Sequence, residues 1–456
     1  MTRETQNRRG MIRSLAAGGL LLPGVLSEML RGGEAENPLA PKPPHFAAKA
    51  KRVIFLFMTG GVSHVDTFDP KPFLTANHGK PARGKSFYKG ADWKFRRYGQ
   101  GGIEISDLFP EIGGVADDLC VIRSMKNING DHFGATIGIH TGSATFNRPS
   151  MGSWVSYGLG TFNQNLPSFV VIAPELPYAG EQVFGADFLP VLHQGTRIVP
   201  GPAPIPNMSR RAPTEEIQKT ELQLTEYFNR QHLTGRETDS NLGARIKSFE
   251  TAFGMQREAP EAFDLSKESD ATLKLYGLER GATKGFGWQC LVARRLAERG
   301  VRFVEVIDGG TSIDHNWDAH AYMGVYDRLA PAVDRSIAGL IRDLKSRGML
   351  EETVVVWTTE FGRSPRVPDP TAEGRGHHAT AYSSWVAGGG FKGGIVYGES
   401  DEIGEQVARD VVTVHDLQAT VLNQLGLDHR RLTYRHAGRD YRLTDVHGNL
   451  VTGILA

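Results

Sequence analysis

The chain has 456 residues, 40% hydrophobic and 23% charged, which is enough to bury a large core and ordinary for a globular protein. Its 52 basic and 51 acidic side chains leave a formal net charge of +1, which argues against nucleic acid as a partner. Two cysteines, Cys120 and Cys290, argue against a disulfide framework and read as core residues.

Arg8 and Arg9 precede a weakly apolar stretch, residues 14–26, broken by Pro23 and Gly24. That is the form of a twin-arginine export signal, and the run is too short to span a bilayer easily as an anchor. The expected destination is the periplasm or cell surface, with the export machinery as a partner and no stable transmembrane segment. Residues 1–36 are assigned to this signal, 37–51 to a linker rich in Pro and Ala, and 52–456 to one folded domain with a helical insertion around 211–265.

Residues 52–58 form an apolar run read as the first central strand, ending in Thr59-Gly60-Gly61. His64 and Asp66 follow the strand end and read equally as ligands and as turn residues, whereas Asp69 before Pro70 reads as turn chemistry. Residues 73–106 look irregular, 108–119 have helical spacing, and 119–125 read as a strand. A helix over 129–143 would line His132, Thr136 and His140 along one side. His132, following an acid, is read toward a site role and His140 toward packing or capping.

Residues 168–173 and 302–307 read as further strands, 213–235 and 241–265 as polar surface helices, 287–300 and 326–349 as helices that pack on the sheet. The alternation predicts a mostly parallel sheet with helices on both faces. Past the strand at 302–307 comes Asp314-His315-Asn316-Trp317-Asp318-Ala319-His320, whose oxygen and imidazole donors fit a divalent metal or a solvated polar loop. The strand at 353–357 runs into Thr359-Glu360-Phe361-Gly362-Arg363, followed by Gly374-Arg375-Gly376-His377-His378 and a strand at 382–387. An acid at one strand end and a histidine pair before the next make a plausible metal pocket, because ligand chemistry collects at the carboxyl ends of such sheets. His415 and Asp416 read as cap residues of a late helix, and the tail from 438 as a closing hairpin.

Five patterns together resemble the DUF1501 proteins: the 51–61 strand with Ser63-His64-Val65-Asp66-Thr67-Phe68-Asp69-Pro70, the His140-Thr141-Gly142 turn, Trp317-Asp318-Ala319-His320, Thr359-Glu360-Phe361-Gly362-Arg363, and Gly376-His377-His378 with Ala387-Gly388-Gly389-Gly390. The resemblance implies an alkaline phosphatase-like three-layer α/β sandwich with a mostly parallel central sheet, related to the sulfatases. It also implies one or two divalent metals (zinc, calcium or manganese) and cleavage of phosphate or sulfate esters. The ligand pattern carries over to Asp318, His320 and either His377 or His378. Where relatives have Asp-His this chain has Glu360-Phe361, and Thr59 stands where they have an aspartate, so Asp66 or His64 would have to fold back. Nine residues before Thr141, where sulfatases carry Cys or Ser, stands His132.

The resulting expectation is an exported hydrolase of phosphate or sulfate esters, those of polysaccharide included. Asp66, Asp318, His320, Glu360, His377 and His378 are its metal candidates, and His132 is a ligand or general base. Arg363 and Arg375 are candidates for neutralising the ester, unless they form ion pairs, and His64 for binding substrate. The alternatives are a non-catalytic binding or scaffold protein that keeps the fold and a metal site, and a purely structural metal.

Overall fold

Successive residues of the first strand face opposite sides, so Ile54, Leu56 and Met58 enter one apolar core while Val53, Phe55 and Phe57 enter the other. A strand buried on both faces shows no polar alternation, which is why residues 52–58 form an unbroken apolar run. The computed structural model describes residues 37–206, 213–236, 240–312 and 315–456. The expected export signal and Asp314 lie outside the described residues.

The central sheet is built from β1 (Arg52–Met58), β2 (Leu119–Lys126), β3 (Phe169–Ile172), β4 (Thr196–Ile198), β5 (Phe303–Asp308), β6 (Thr353–Thr358), β7 (Tyr382–Ala387), β8 (Ile395–Tyr397) and β9 (Val412–Thr413). Their order is β8-β2-β7-β6-β1-β5-β3-β4, with β9 beside β2. Every pairing is parallel except those of β7, which runs antiparallel to both β6 and β2. The mostly parallel sheet expected from strand and helix alternation is therefore present, with one reversed strand. At its centre Ile54 stands opposite Val355 on one side and Val304 on the other, so β6, β1 and β5 end together.

Helices cover both faces. The longer helices are α1 (His132–Thr141), α2 (Met151–Leu159), α3 (Glu215–Leu233), α4 (Ser240–Phe263), α5 (Phe286–Glu298), α6 (Tyr326–Ser346) and α7 (Val414–Gln424). Trp288 and Leu291 of α5 and Ile337 and Leu340 of α6 join the core of one face, and α4 adds Met255, Ala259 and Ala262. Ile137 of α1, Trp154 of α2 and Leu417 of α7 pack on the other face. Asp416 forms a capping box with Thr413 at the start of α7, as its position suggested, while His415 bonds Gly142 O at 2.9 Å. Among the described residues no helix is long and apolar enough to cross a membrane.

The helix expected over 108–119 shrinks to the turn Pro110–Gly113 and a 3-10 turn, Ala116–Asp118. Gly113 and Gly114 weaken a helix there, and a Cβ at Gly113 would strike the Tyr98 ring at 2.6 Å.

One buried ion pair locks α1 to the sheet. His140 Nε2 lies 2.7 Å from Glu305 Oε1, and its Nδ1 is 2.7 Å from Thr136 O, so both ring nitrogens face acceptors. Burial pulls the His140 pKa down, but the Glu305 carboxylate more than reverses this and leaves it above the ordinary 6.5. A raised histidine pKa adds stability that is fully present below about 6.5 and lost as pH rises through the folded value. Glu305→Gln is therefore expected to destabilise the protein by about 3–5 kcal/mol at pH 6, because it leaves a buried charge without its partner. The gap should narrow toward pH 9. Urea unfolding at both pH values checks this, and equal midpoints for wild type and variant at pH 6 would contradict it.

Candidate metal centre

The ends of β6 and β1 meet around one buried carboxylate. Glu360 has no exposed surface; its Oε1 and Oε2 accept from Gly60 N at 2.9 and 3.1 Å, and Asn127 Nδ2 donates to its backbone oxygen at 2.8 Å. Thr359 Oγ1 accepts from Gly61 N and Val62 N, both at 3.1 Å, so the glycine turn after β1 is stitched to the end of β6. Trp317 N donates to Thr59 O at 2.9 Å, which draws the loop after β5 across the same turn. Gly60 permits that crossing: its φ is +115°, and a Cβ there would lie 2.6 Å from Asp318 N. Gly374 does the same on the far side, where a Cβ would strike His320 O.

Four side chains converge on this rim. His132, Asp318, His320 and His377 each offer a ligand atom, and these atoms lie within 4.8 Å of one another. His132 stands at the first position of α1, whose N-cap Asp131 accepts from Gly134 N at 2.8 Å. Its Nδ1 lies 2.7 Å from Glu360 Oε1 and its buried Nε2 has no hydrogen-bond partner, although Asp318 Oδ2 is 3.1 Å away. His377 Nδ1 is 2.8 Å from Gly130 O, an acceptor, so Nδ1 carries a proton and Nε2 faces the cluster. His320 Nε2 and His377 Nε2 are 2.7 Å apart, the distance of a hydrogen bond in which one nitrogen donates to the other.

These observations fit a divalent cation. Imidazoles that turn Nε2 inward while Nδ1 donates to a carboxylate or carbonyl are the usual outer-shell arrangement of metal-bound histidines. The side chains of His132 and Asp318 are 11% and 10% exposed, that of His320 is 50% exposed, and so the cluster opens to solvent on the His320 side.

Charge is tightly balanced. Burial opposes ionisation of Asp318, but the neighbouring His132 and His377 imidazoles and the Arg363 charge hold its pKa well below the usual carboxylate range. Burial likewise lowers His132, yet Asp318 and Glu360 on its two sides outweigh burial and raise it. His320 is lowered, by burial and then by Arg363. The Tyr178 phenol, 3.3 Å from Asp318 Oδ2, is pushed up to about 12 by burial and by the Asp318 charge.

The remaining candidate residues lie elsewhere. Asp66 is fully buried against Arg375, with Arg375 Nε 2.7 Å from Asp66 Oδ2, and it takes a 2.5 Å bond from Ser63 Oγ. Arg375 is buried too and donates to Gly90 O and Lys89 O, so neither residue meets a ligand or an ester. His378 follows His377 in a two-residue strand and faces away, with its Nε2 2.6 Å from Glu405 O and its ring stacked 6.0 Å from that of buried His64. His64 Nε2 lies 2.8 Å from Gly404 O, which places it in the packing beneath the site rather than at a substrate surface. Glu360 is held in place by backbone and reaches the cluster through His132 rather than directly. Arg363 has no exposed surface and points at Asp318, not at solvent. Neither Asp66 nor His64, expected to replace the missing aspartate at Thr59, stands in the cluster: Asp66 pairs with Arg375, and His64 is buried against Gly404 and His378.

Tyr178 was not foreseen. It lies six residues beyond the end of β3, and the strand-end logic that singled out Asp318 and Glu360 applies equally to it.

Gly60→Ala is expected to push the 317–318 backbone aside, at a cost of about 1–3 kcal/mol for the strained residue. It should also sharply weaken uptake of divalent cation; calorimetric titration with zinc checks this, and wild-type affinity would contradict the role of the crossing.

The lipoteichoic acid synthase LtaP of Listeria monocytogenes is similar over 89% of this chain and 78% of its own, at 10% identity and a TM-score of 0.39. The PsFucS1 sulfatase of Pseudoalteromonas sp. is similar over 83% and 68%, at 12% identity and 0.35. The phosphonate monoester hydrolase SpPMH of Silicibacter pomeroyi is similar over 83% and 73%, at 10% identity and 0.35. No curated protein shows significant sequence similarity to the chain. The family model described as a protein of unknown function (DUF1501) matches residues 50–455, and the chain belongs to that family.

Proposed function

We propose that this chain is an exported metal-dependent hydrolase of phosphate or sulfate esters. The observation that carries the reading is the convergence of three imidazole nitrogens and one carboxylate oxygen within 4.8 Å on the solvent-facing rim of the sheet. His132, Asp318, His320 and His377 would hold the cation, and a donor set rich in imidazole favours zinc over calcium. A divalent cation bound there polarises an ester oxygen and lowers the pKa of water.

The chain's own groups prepare that chemistry. Glu360 holds the His132 ring through Nδ1, and Arg363 holds Asp318 Oδ1 at 2.5 Å. His320 leaves an approach open to solvent. The arginines proposed to neutralise the ester are buried, so recognition of its negative charge falls to the cation.

A second reading, a binding protein that retains the centre without turnover, is favoured by the same Arg363 contact, which neutralises the one carboxylate in the donor set. Metal analysis of purified protein followed by a panel of phosphate and sulfate esters separates the two. The hydrolase reading expects bound divalent cation and turnover, with Asp318→Ala losing the metal and at least about 100-fold of the rate, beyond the roughly 10–100-fold typical of outer-shell partners. Bound cation without turnover on any ester supports the binding protein, and absence of bound cation at neutral pH with added zinc sinks both.

Export by the twin-arginine route is part of the same proposal and rests on Arg8 and Arg9 ahead of the apolar stretch. A reporter fused behind residues 1–50 should reach the periplasm, and the Arg8→Lys, Arg9→Lys double variant should keep it in the cytoplasm. Equal export of both fusions would rule the route out.

A further inference from the structure

We infer that Tyr178 is a positioning residue of the metal centre, its hydroxyl and ring together fixing the Asp318 carboxylate and the plane of His132. The inference rests on the metal reading of the cluster.

Asn316, with no exposed surface, is the anchor. Its Nδ2 donates to Gly310 O and to the Tyr178 hydroxyl, both at 2.9 Å, while its Oδ1 accepts from Asp318 N at 3.0 Å. One amide therefore holds the Asp318 backbone and the phenol that faces the Asp318 side chain. With Asn316 donating to its oxygen, the Tyr178 O–H is left to donate in turn, and Asp318 Oδ2 receives it at 3.3 Å. Arg363 Nη2 occupies Oδ1. The carboxylate is thus held at both oxygens and cannot rotate about its Cβ–Cγ bond without breaking a bond to one or the other.

The same ring governs His132. Tyr178 stacks on the imidazole with centroids 4.0 Å apart and planes 13° from parallel, and Phe361 contacts that imidazole at 4.9 Å. Glu360 fixes Nδ1 but leaves the ring free to swing about that bond; the stacked aromatic removes this freedom, so Nε2 keeps facing Asp318. A tyrosine serving only as a loop anchor would need neither the hydroxyl relay nor the ring placement.

Cobalt(II) titration of the metal-stripped full chain, read by calorimetry and by the visible d–d absorption of the bound ion, tests this without any substrate. Tyr178→Phe keeps the ring and removes the hydroxyl: cobalt should bind about tenfold more weakly, the lower end of the roughly 10–100-fold range for outer-shell partners, with a shifted d–d spectrum. Tyr178→Leu, which also loses the stack, should weaken binding further, and Asn316→Ala should reproduce the spectral shift from the other end of the relay. Thermal melts confirm that each variant is folded; if Tyr178→Leu or Asn316→Ala is not, Tyr178→Phe decides. Wild-type affinity and spectrum in Tyr178→Phe overturn the positioning role and leave the metal centre standing. A wild-type chain that takes up no cobalt overturns the metal reading and this inference together.

Discussion

The contact between Arg363 and Asp318 is the constraint around which the rim is built. The guanidinium has no exposed surface and donates to Gly60 O, to Gly61 O at 2.8 Å, to Arg375 O at 3.2 Å and to Asp318 Oδ1 at 2.5 Å. It therefore ties together the turn after β1, the loop after β5 and the segment that delivers His377. A buried cation left without its carboxylate is severely destabilising, so none of these segments moves independently of the others. Arginine suits the place because its planar donors satisfy several acceptors at once, which the single ammonium of lysine does not.

This arrangement puts the candidate ligands on rigid supports. Asp318 is pinned by Gly60 beneath it, Arg363 beside it and Asn316 behind it; His132 is pinned by Glu360 and by the helix that His140 and Glu305 fasten to the sheet. His320, half exposed, is the one candidate ligand without such support, and it marks the side on which the cluster opens to solvent. The same Arg363 that orders the site also offsets the negative charge of Asp318. The affinity of any metal held there would be set by the balance between that repulsive cation and three convergent imidazoles.

Much of the architecture was legible in the amino-acid order. Strands buried on both faces must be continuously apolar, so β1, β5 and β6 stood out, and the acids and glycines after them marked the functional rim. The one-turn remnant at 110–113 was misjudged because apolar spacing alone does not reveal that Gly113 sits against an aromatic ring. Among site residues, His377 and His378 are indistinguishable by type and neighbourhood. In an extended two-residue strand adjacent side chains point to opposite faces, which sends one into the cluster and the other against His64. Asp66 and Arg375, 309 positions apart, likewise gave no sign that they neutralise each other.

Residue order sufficed to establish a layered α/β chain with acids and histidines collected where central strands end, because hydrophobic periodicity and turn chemistry are local properties. Selecting four candidate ligands from that larger set needed the folded chain. Which oxygen meets which nitrogen depends on strand pleat, on glycines that let backbones cross, and on ion pairs between distant segments, and none of these is written in any single stretch.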